Sequence, residues 1–133
     1  GLPFPAGKAL DALYHRADAA VEYRVKLNGL TFSLSGMENQ VKKLLEEGEK
    51  PANIARFTLD TVISVVLRAT QEAQRRYPGL PVLCSGGVAS NSQLRAVLER
   101  ICGAFFAQPR YAADNAMGTA ILTWRALERG ERP

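Results

Sequence analysis

The sequence predicts an α/β fold with a small mixed sheet flanked by helices. Two short apolar runs, Leu80–Cys84 and Ala104–Ala107, alternate with helical patterns late in the chain, which implies a parallel β-α-β unit. Earlier, Val21–Leu34 is rich in β-branched and aromatic residues and is split by Asn28-Gly29, the signal of an antiparallel hairpin. At 133 residues the chain has the length of one ordinary domain.

Each element has its own warrant. Lys8–Ala20 places Leu10, Leu13, Tyr14 and Ala17 at helical spacing. After the hairpin, Ser35-Gly36 hands over to a helix over Met37–Glu47, whose apolar face is Met37, Val41, Leu44 and Leu45, with Gly48 placed to stop it. Pro51 suits a first helical turn. From there to Tyr77 a broad stripe through Ile54, Phe57, Thr61, Val62, Val65 and Val66 predicts a long helix buried on much of its circumference, ended by Pro78-Gly79. A helix from Asn91 or Ser92 carries Leu94, Val97, Leu98 and Ile101. Pro109–Ala113 reads as loop, and Asp114–Arg129 as a last helix. Phe105-Phe106 is most simply core, and Trp124 core or interface.

Composition narrows the class of function. With 47% hydrophobic and 23% charged residues the chain is neither disordered, collagen-like nor a disulfide scaffold. A net charge of +4 permits nucleic acid or phosphate as partner without requiring either. Cys84 and Cys102 form no Cys-x-x-Cys motif and read as buried free thiols, which suits a reducing, cytoplasmic compartment. The apolar runs fall far short of the ~20 residues of a membrane span. His15 is the single histidine and reads as a helix-surface residue, so a His-based metal site or triad within this chain is not expected.

The stretch Val82–Asn91 is the most informative for chemistry. It joins an apolar strand to the glycine pair Gly86-Gly87 and then to a helix start. Paired glycines allow close approach of a ligand, and a helix N-terminus offers free N–H groups, so a phosphate or a nucleoside fits. A strand-to-helix turn with Asn91 or Ser92 as cap is the simpler reading of the spacing alone. Asp114 opening a helix is a cap or a metal- or phosphate-proximal carboxylate. Asp11 reads as a solvated helix residue or a ligand, and Gly7 as a turn. Lys42-Lys43 and Arg75-Arg76 read as solvated helix faces.

Taken together, these pieces resemble one family. Gly1–Asp11 is similar to the Gly-Leu-x-Tyr-Pro-Gly-Gly-Pro-x-Leu-Asp motif of the TsaD/Gcp proteins, the tRNA adenosine threonylcarbamoyltransferases once described as glycoproteases or O-sialoglycoprotein endopeptidases. Thr31–Met37 resembles their Phe-Ser-Phe-Ser-Gly-Leu segment, Ser85–Asn91 their Gly-Gly-Val-x-x-Asn motif, and Pro109–Ala120 their Pro-x-x-x-x-Asp-Asn-Ala segment. The resemblance implies the actin/Hsp70/sugar-kinase-like (ASKHA, ribonuclease H-like) ATPase fold, of which residues 1–133 would form one half, the C-terminal lobe. It implies that Gly7, Asp11, Gly86, Gly87 and Asn91 bind nucleotide or intermediate, and that Asp114 binds a metal. The implied cofactors of the parent protein are ATP or threonylcarbamoyl-adenylate and a divalent metal (iron, zinc or magnesium), with none expected on the fragment alone. The implied partners are tRNA and the protein partners of the threonylcarbamoyl-adenosine complex.

Departures from the pattern bear on the reaction. The family's His-x-x-x-His metal motif is missing, so the chain reads as a fragment that does not catalyse alone. Ser35-Gly36-Met37-Glu38-Asn39 stands for Ser-Gly-Leu-Lys-Thr, Ala6 for the first glycine of Pro-Gly-Gly, Ala113 for a threonine, and Asp114–Gly118 for Asp-Asn-Ala-Ala-Met. The second expectation is therefore a non-catalytic divergent paralogue acting as a nucleotide-binding or protein-interaction module. A lobe parted from its partner exposes apolar surface, which predicts a homodimer.

Overall fold

The computed structural model describes residues 6–19, 21–108 and 116–130. In chain order the elements are α1 (Gly7–Tyr14), β1 (Leu27–Asn28), β2 (Thr31–Phe32), α2 (Ser35–Glu46), α3 (Pro51–Arg76), β3 (Leu83–Cys84), a 3-10 turn (Val88–Ser90), α4 (Ser92–Cys102), β4 (Phe105–Phe106) and α5 (Ala116–Glu128). The α/β class holds. Its sheet comes as two separate pairs among the described residues: β1–β2 antiparallel, with Asn28 facing Thr31, and β3–β4 parallel, with Leu83 facing Phe105.

α3 organises the molecule. Its 26 residues span about 39 Å, and α1, α2 and α4 all pack on it. Pro51 sits in its first turn, where a missing N–H costs nothing. Ile63 of α3 meets Leu94, Leu98, Cys102 and Ala104 in a core cluster joined by Val82, Cys84 and Phe106. α4 is amphipathic and closes at Gly103, which adopts the left-handed conformation (φ 60°) that glycine tolerates.

α1 and the hairpin are shorter than expected, each because tertiary hydrogen bonds outbid local ones. α1 stops at Tyr14 rather than Ala20, because the Asp18 and Ala19 N–H groups donate to the Asn53 side chain of α3. The hairpin pairs only Leu27–Asn28 with Thr31–Phe32, because the segment before it runs along α3. There the Tyr23 N–H donates to Thr61 Oγ1 (3.1 Å) and Arg68 donates to the Val25 carbonyl (2.6 Å). Thr61 is fully buried, and Tyr23 satisfies it. α2 begins at Ser35, two residues before the expected start.

The burial expectations are corrected at two aromatics. Phe106 packs into the core, but its neighbour Phe105 is 65% exposed, because successive strand residues point to opposite faces and the helices α3 and α4 cover one face only. Trp124 is exposed on α5, together with Ile121, Leu122 and Leu127. Leu45 of α2 is also exposed, leaving Met37 as that helix's buried anchor. Cys84 and Cys102 are free, and burial pushes both thiols up, away from reactive thiolate. No described helix is long and apolar enough to cross a membrane.

Candidate nucleotide-proximal site

The glycine turn and α1 meet at the start of α4. β3 ends at Cys84, and the chain turns through Gly86 (φ 100°), a backbone conformation that side chains rarely adopt. The 3-10 turn follows, and Asn91 caps α4: its Oδ1 accepts from the Leu94 N–H at 2.9 Å. This is the cap that the spacing implies.

Asp11 reaches the same point from α1, 80 residues away in sequence. Its Oδ1 accepts from Asn91 Nδ2 (3.1 Å) and from Ser92 Oγ (2.9 Å), and its Oδ2 accepts from the Ser92 N–H (3.3 Å). One carboxylate thus takes three donors at a helix N-terminus, where the macrodipole favours negative charge. Asp11 is half-buried, not a solvated helix residue. Gly7 and Asp11, four residues apart, share one face of α1, and His15 is the residue that caps its C-terminus. His15 Nε2 lies 3.2 Å from Gln93 Nε2, which extends the α1–α4 contact by one more pair.

The three glycines leave space around this cluster. A Cβ at Gly7, Gly86 or Gly87 would meet no atom within 4 Å. Gly87 has an ordinary φ of −60°, so neither backbone conformation nor crowding by the protein requires glycine there. The structure therefore brings Asp11, Asn91, Gly86 and Gly87 to one end of α4, with Gly7 on the Asp11 face of α1. Asp114 lies outside the described residues, as does the Pro109–Ala113 loop. Among the described residues no three His, Cys, Asp or Glu side chains gather to hold a metal.

Two features escaped the sequence reading. Ser92 contributes its hydroxyl as well as its N–H to Asp11. Tyr14 donates to Asp60 Oδ1 (2.7 Å) while Arg56 approaches Asp60 Oδ2 (3.4 Å), which pins α1 to α3. Burial, and then the bond to Asp60, raises the Tyr14 phenol above its ordinary 10.0.

The occupant of the α4 N-terminus matters for chemistry. A phosphate is the expected guest of such a terminus, but here the Asp11 carboxylate already takes the Ser92 N–H. A second anion beside it would be repelled. Hydroxyl donors would be welcome, since an ionised carboxylate only accepts. The arrangement suits a neutral nucleoside better than a phosphate at this point.

The fold is shared with known proteins. A crystal structure of HypF from T. kodakarensis superposes on 92% of this chain with a TM-score of 0.62 at 20% identity, using 17% of that longer chain. That likeness fits half of an actin/Hsp70/sugar-kinase type of fold. The sequence then places the chain more narrowly. The profile of the family described as TsaD, tRNA N6-adenosine threonylcarbamoyltransferase, matches residues 1–121. A tRNA N6-adenosine threonylcarbamoyltransferase of Anaeromyxobacter sp. (strain Fw109-5) is 36% identical over 99% of this chain and 44% of its own length. That of Chlorobium luteolum is 30% identical over the whole chain and 45% of its own length. A probable bifunctional tRNA threonylcarbamoyladenosine biosynthesis protein of Methanothermobacter thermautotrophicus is 27% identical over 93% of the chain. The chain belongs to the TsaD family, and it spans less than half the length of these relatives.

Proposed function

We propose that this chain supplies the nucleoside-holding half of a tRNA N6-adenosine threonylcarbamoyltransferase. The observation that carries the reading is the Asp11–Asn91–Ser92 cluster at the start of α4, which follows within a few residues the uncrowded glycines Gly86 and Gly87. Asp11 would accept hydrogen bonds from ribose hydroxyls, and Asn91 and Ser92 would fix the orientation of its carboxylate. The glycines would let an adenosine lie against backbone. Bound ATP or threonylcarbamoyl-adenylate would supply the activated carbonyl for transfer to an adenosine amine of tRNA. Asp114 would offer one carboxylate to a divalent metal, whose remaining ligands must come from outside the described residues. We place the chain as a C-terminal lobe that completes its cleft with a second lobe, in the cytoplasm, alongside tRNA and the protein partners of that modification. The exposed apolar residues support homodimer formation when the chain stands alone.

Gly87→Val tests the site without disturbing the fold, because the new side chain enters open space at an ordinary φ. Calorimetric titration of adenosine into the chain should show binding by the wild type and a loss of tenfold or more in the variant, with an unchanged Tm. Equal affinity in wild type and Gly87→Val would sink the assignment.

A further inference from the structure

The nucleoside site leaves the Thr31–Met37 segment unused, although it stands out in the sequence. In the structure that segment forms one wall of a groove of about 490 Å³ between the β1–β2 hairpin and the first turn of α2. Tyr23, Lys26, Asn28, Phe32, Ser33 and Gly36 line it. We propose that this groove binds a single-stranded RNA segment, with Lys26 against the phosphodiester backbone and Phe32 as a stacking platform for a base.

Charge, shape and chemistry each point that way. Lys26 lines the groove and is exposed, Arg24 is exposed two residues before it, and neither makes a salt bridge among the described residues. Other basic side chains are spent: Arg76, whose guanidinium lies beside Gly29 of the hairpin, pairs with Glu72, and Lys42 of α2 pairs with Glu38 at 2.8 Å. Unspent cations at a groove attract a polyanion. Phe32 is 39% exposed although it sits in a strand, so part of its side chain is open to solvent. Asn28 offers its amide to base edges or sugar hydroxyls, while the Ser33 hydroxyl is held by the hydroxyl and N–H of Ser35. A cationic groove with an exposed aromatic is the recurrent design of single-strand binders. A Cβ at Gly36 would lie 2.5 Å from the Tyr23 hydroxyl, so the Tyr23 ring stands directly against the start of α2 and closes one side of the groove.

This inference rests on reading the chain as part of a tRNA-modifying protein, and it adds where the RNA would run. The experiment uses the 133-residue chain and a fluorescein-labelled single-stranded RNA of about 12 nucleotides, followed by anisotropy over a salt series. Phe32→Ala should weaken binding roughly tenfold or more. Lys26→Gln should reduce the slope of log affinity against log salt by about one. Lys43→Gln removes the same charge from a residue already paired with Glu47, and should leave both quantities unchanged. Circular dichroism confirms that the variants are folded. No binding by the wild type, equal effects of Lys26→Gln and Lys43→Gln, or equal binding of a polyglutamate peptide would each overturn the proposal. Adenosine titration of the same samples reads the Asp11 cluster separately, so failure there counts against the nucleoside site alone.

Discussion

Gly86 and Gly87 stand side by side and answer to different constraints. Gly86 is required by its own backbone, with φ at 100° and no neighbour within reach of a Cβ. Gly86→Ala should cost about 1 kcal/mol or more in urea denaturation, whereas Gly87→Ala should be close to neutral for the fold. A stability loss at Gly87 equal to that at Gly86 would contradict this division. The sequence shows two glycines and cannot show which obeys geometry and which leaves room for a guest. Asn91 was more legible, since an asparagine before an apolar periodic run reads as a cap, and it is one. Asp11 was legible only through resemblance, because nothing local reveals that its partners lie 80 residues away.

At the level of elements, α1 is the part whose placement depends most on polar contacts. It has no buried residue of its own. The Tyr14–Asp60 bond holds it to α3, and the Asp11 cluster holds it to α4. Tyr14→Phe should cost about 1 kcal/mol of stability and should weaken adenosine binding too, because it loosens the helix that carries Asp11. The phenol's raised pKa gives the sign of the pH effect. Its contribution is complete below the ordinary value of 10.0 and is lost as pH rises through the higher folded value. Alkaline unfolding of the wild type should therefore show a component that Tyr14→Phe lacks. On the acid side, hydrogen bonds from Lys50 and Lys42 hold Asp18 and Glu38 below the usual carboxylate range. Their small contributions persist above the ordinary carboxylate pKa and fade as pH falls through the folded values. The helices α2, α3 and α4 were readable because apolar periodicity and end signals agree. The end of α1 and the short hairpin were not, because the side chains of Asn53, Thr61 and Arg68 claim backbone groups that local rules assign to helix or ladder.

At the scale of the whole molecule, two groups of uncovered apolar residues stand out among the described residues. Leu83 and Phe105 face each other across the parallel pair and are 74% and 65% exposed, on the side away from the core helices. Parallel strands normally have both faces covered. α5 carries the second set, Ile121, Leu122, Trp124 and Leu127. Sedimentation should show association that grows with concentration, and Leu83→Lys should shift it toward monomer. A wild type that stays monomeric at high concentration would count against the homodimer. Sequence patterning identifies such residues as apolar but cannot say what buries them, since a strand inside one chain and a strand at an interface look alike.

The stretch from Val21 to Lys26 pairs with no strand among the described residues, and side chains of α3 hold its backbone at Tyr23 and Val25. It also offers trypsin Arg24 and Lys26, with Arg16 just upstream. Proteolysis of this stretch thus becomes a clock for how often α1 and its connection lift from α3. A nucleoside gripped through Asp11 should slow that clock, whereas RNA on the groove should shield Lys26 and leave Arg16 open to cleavage.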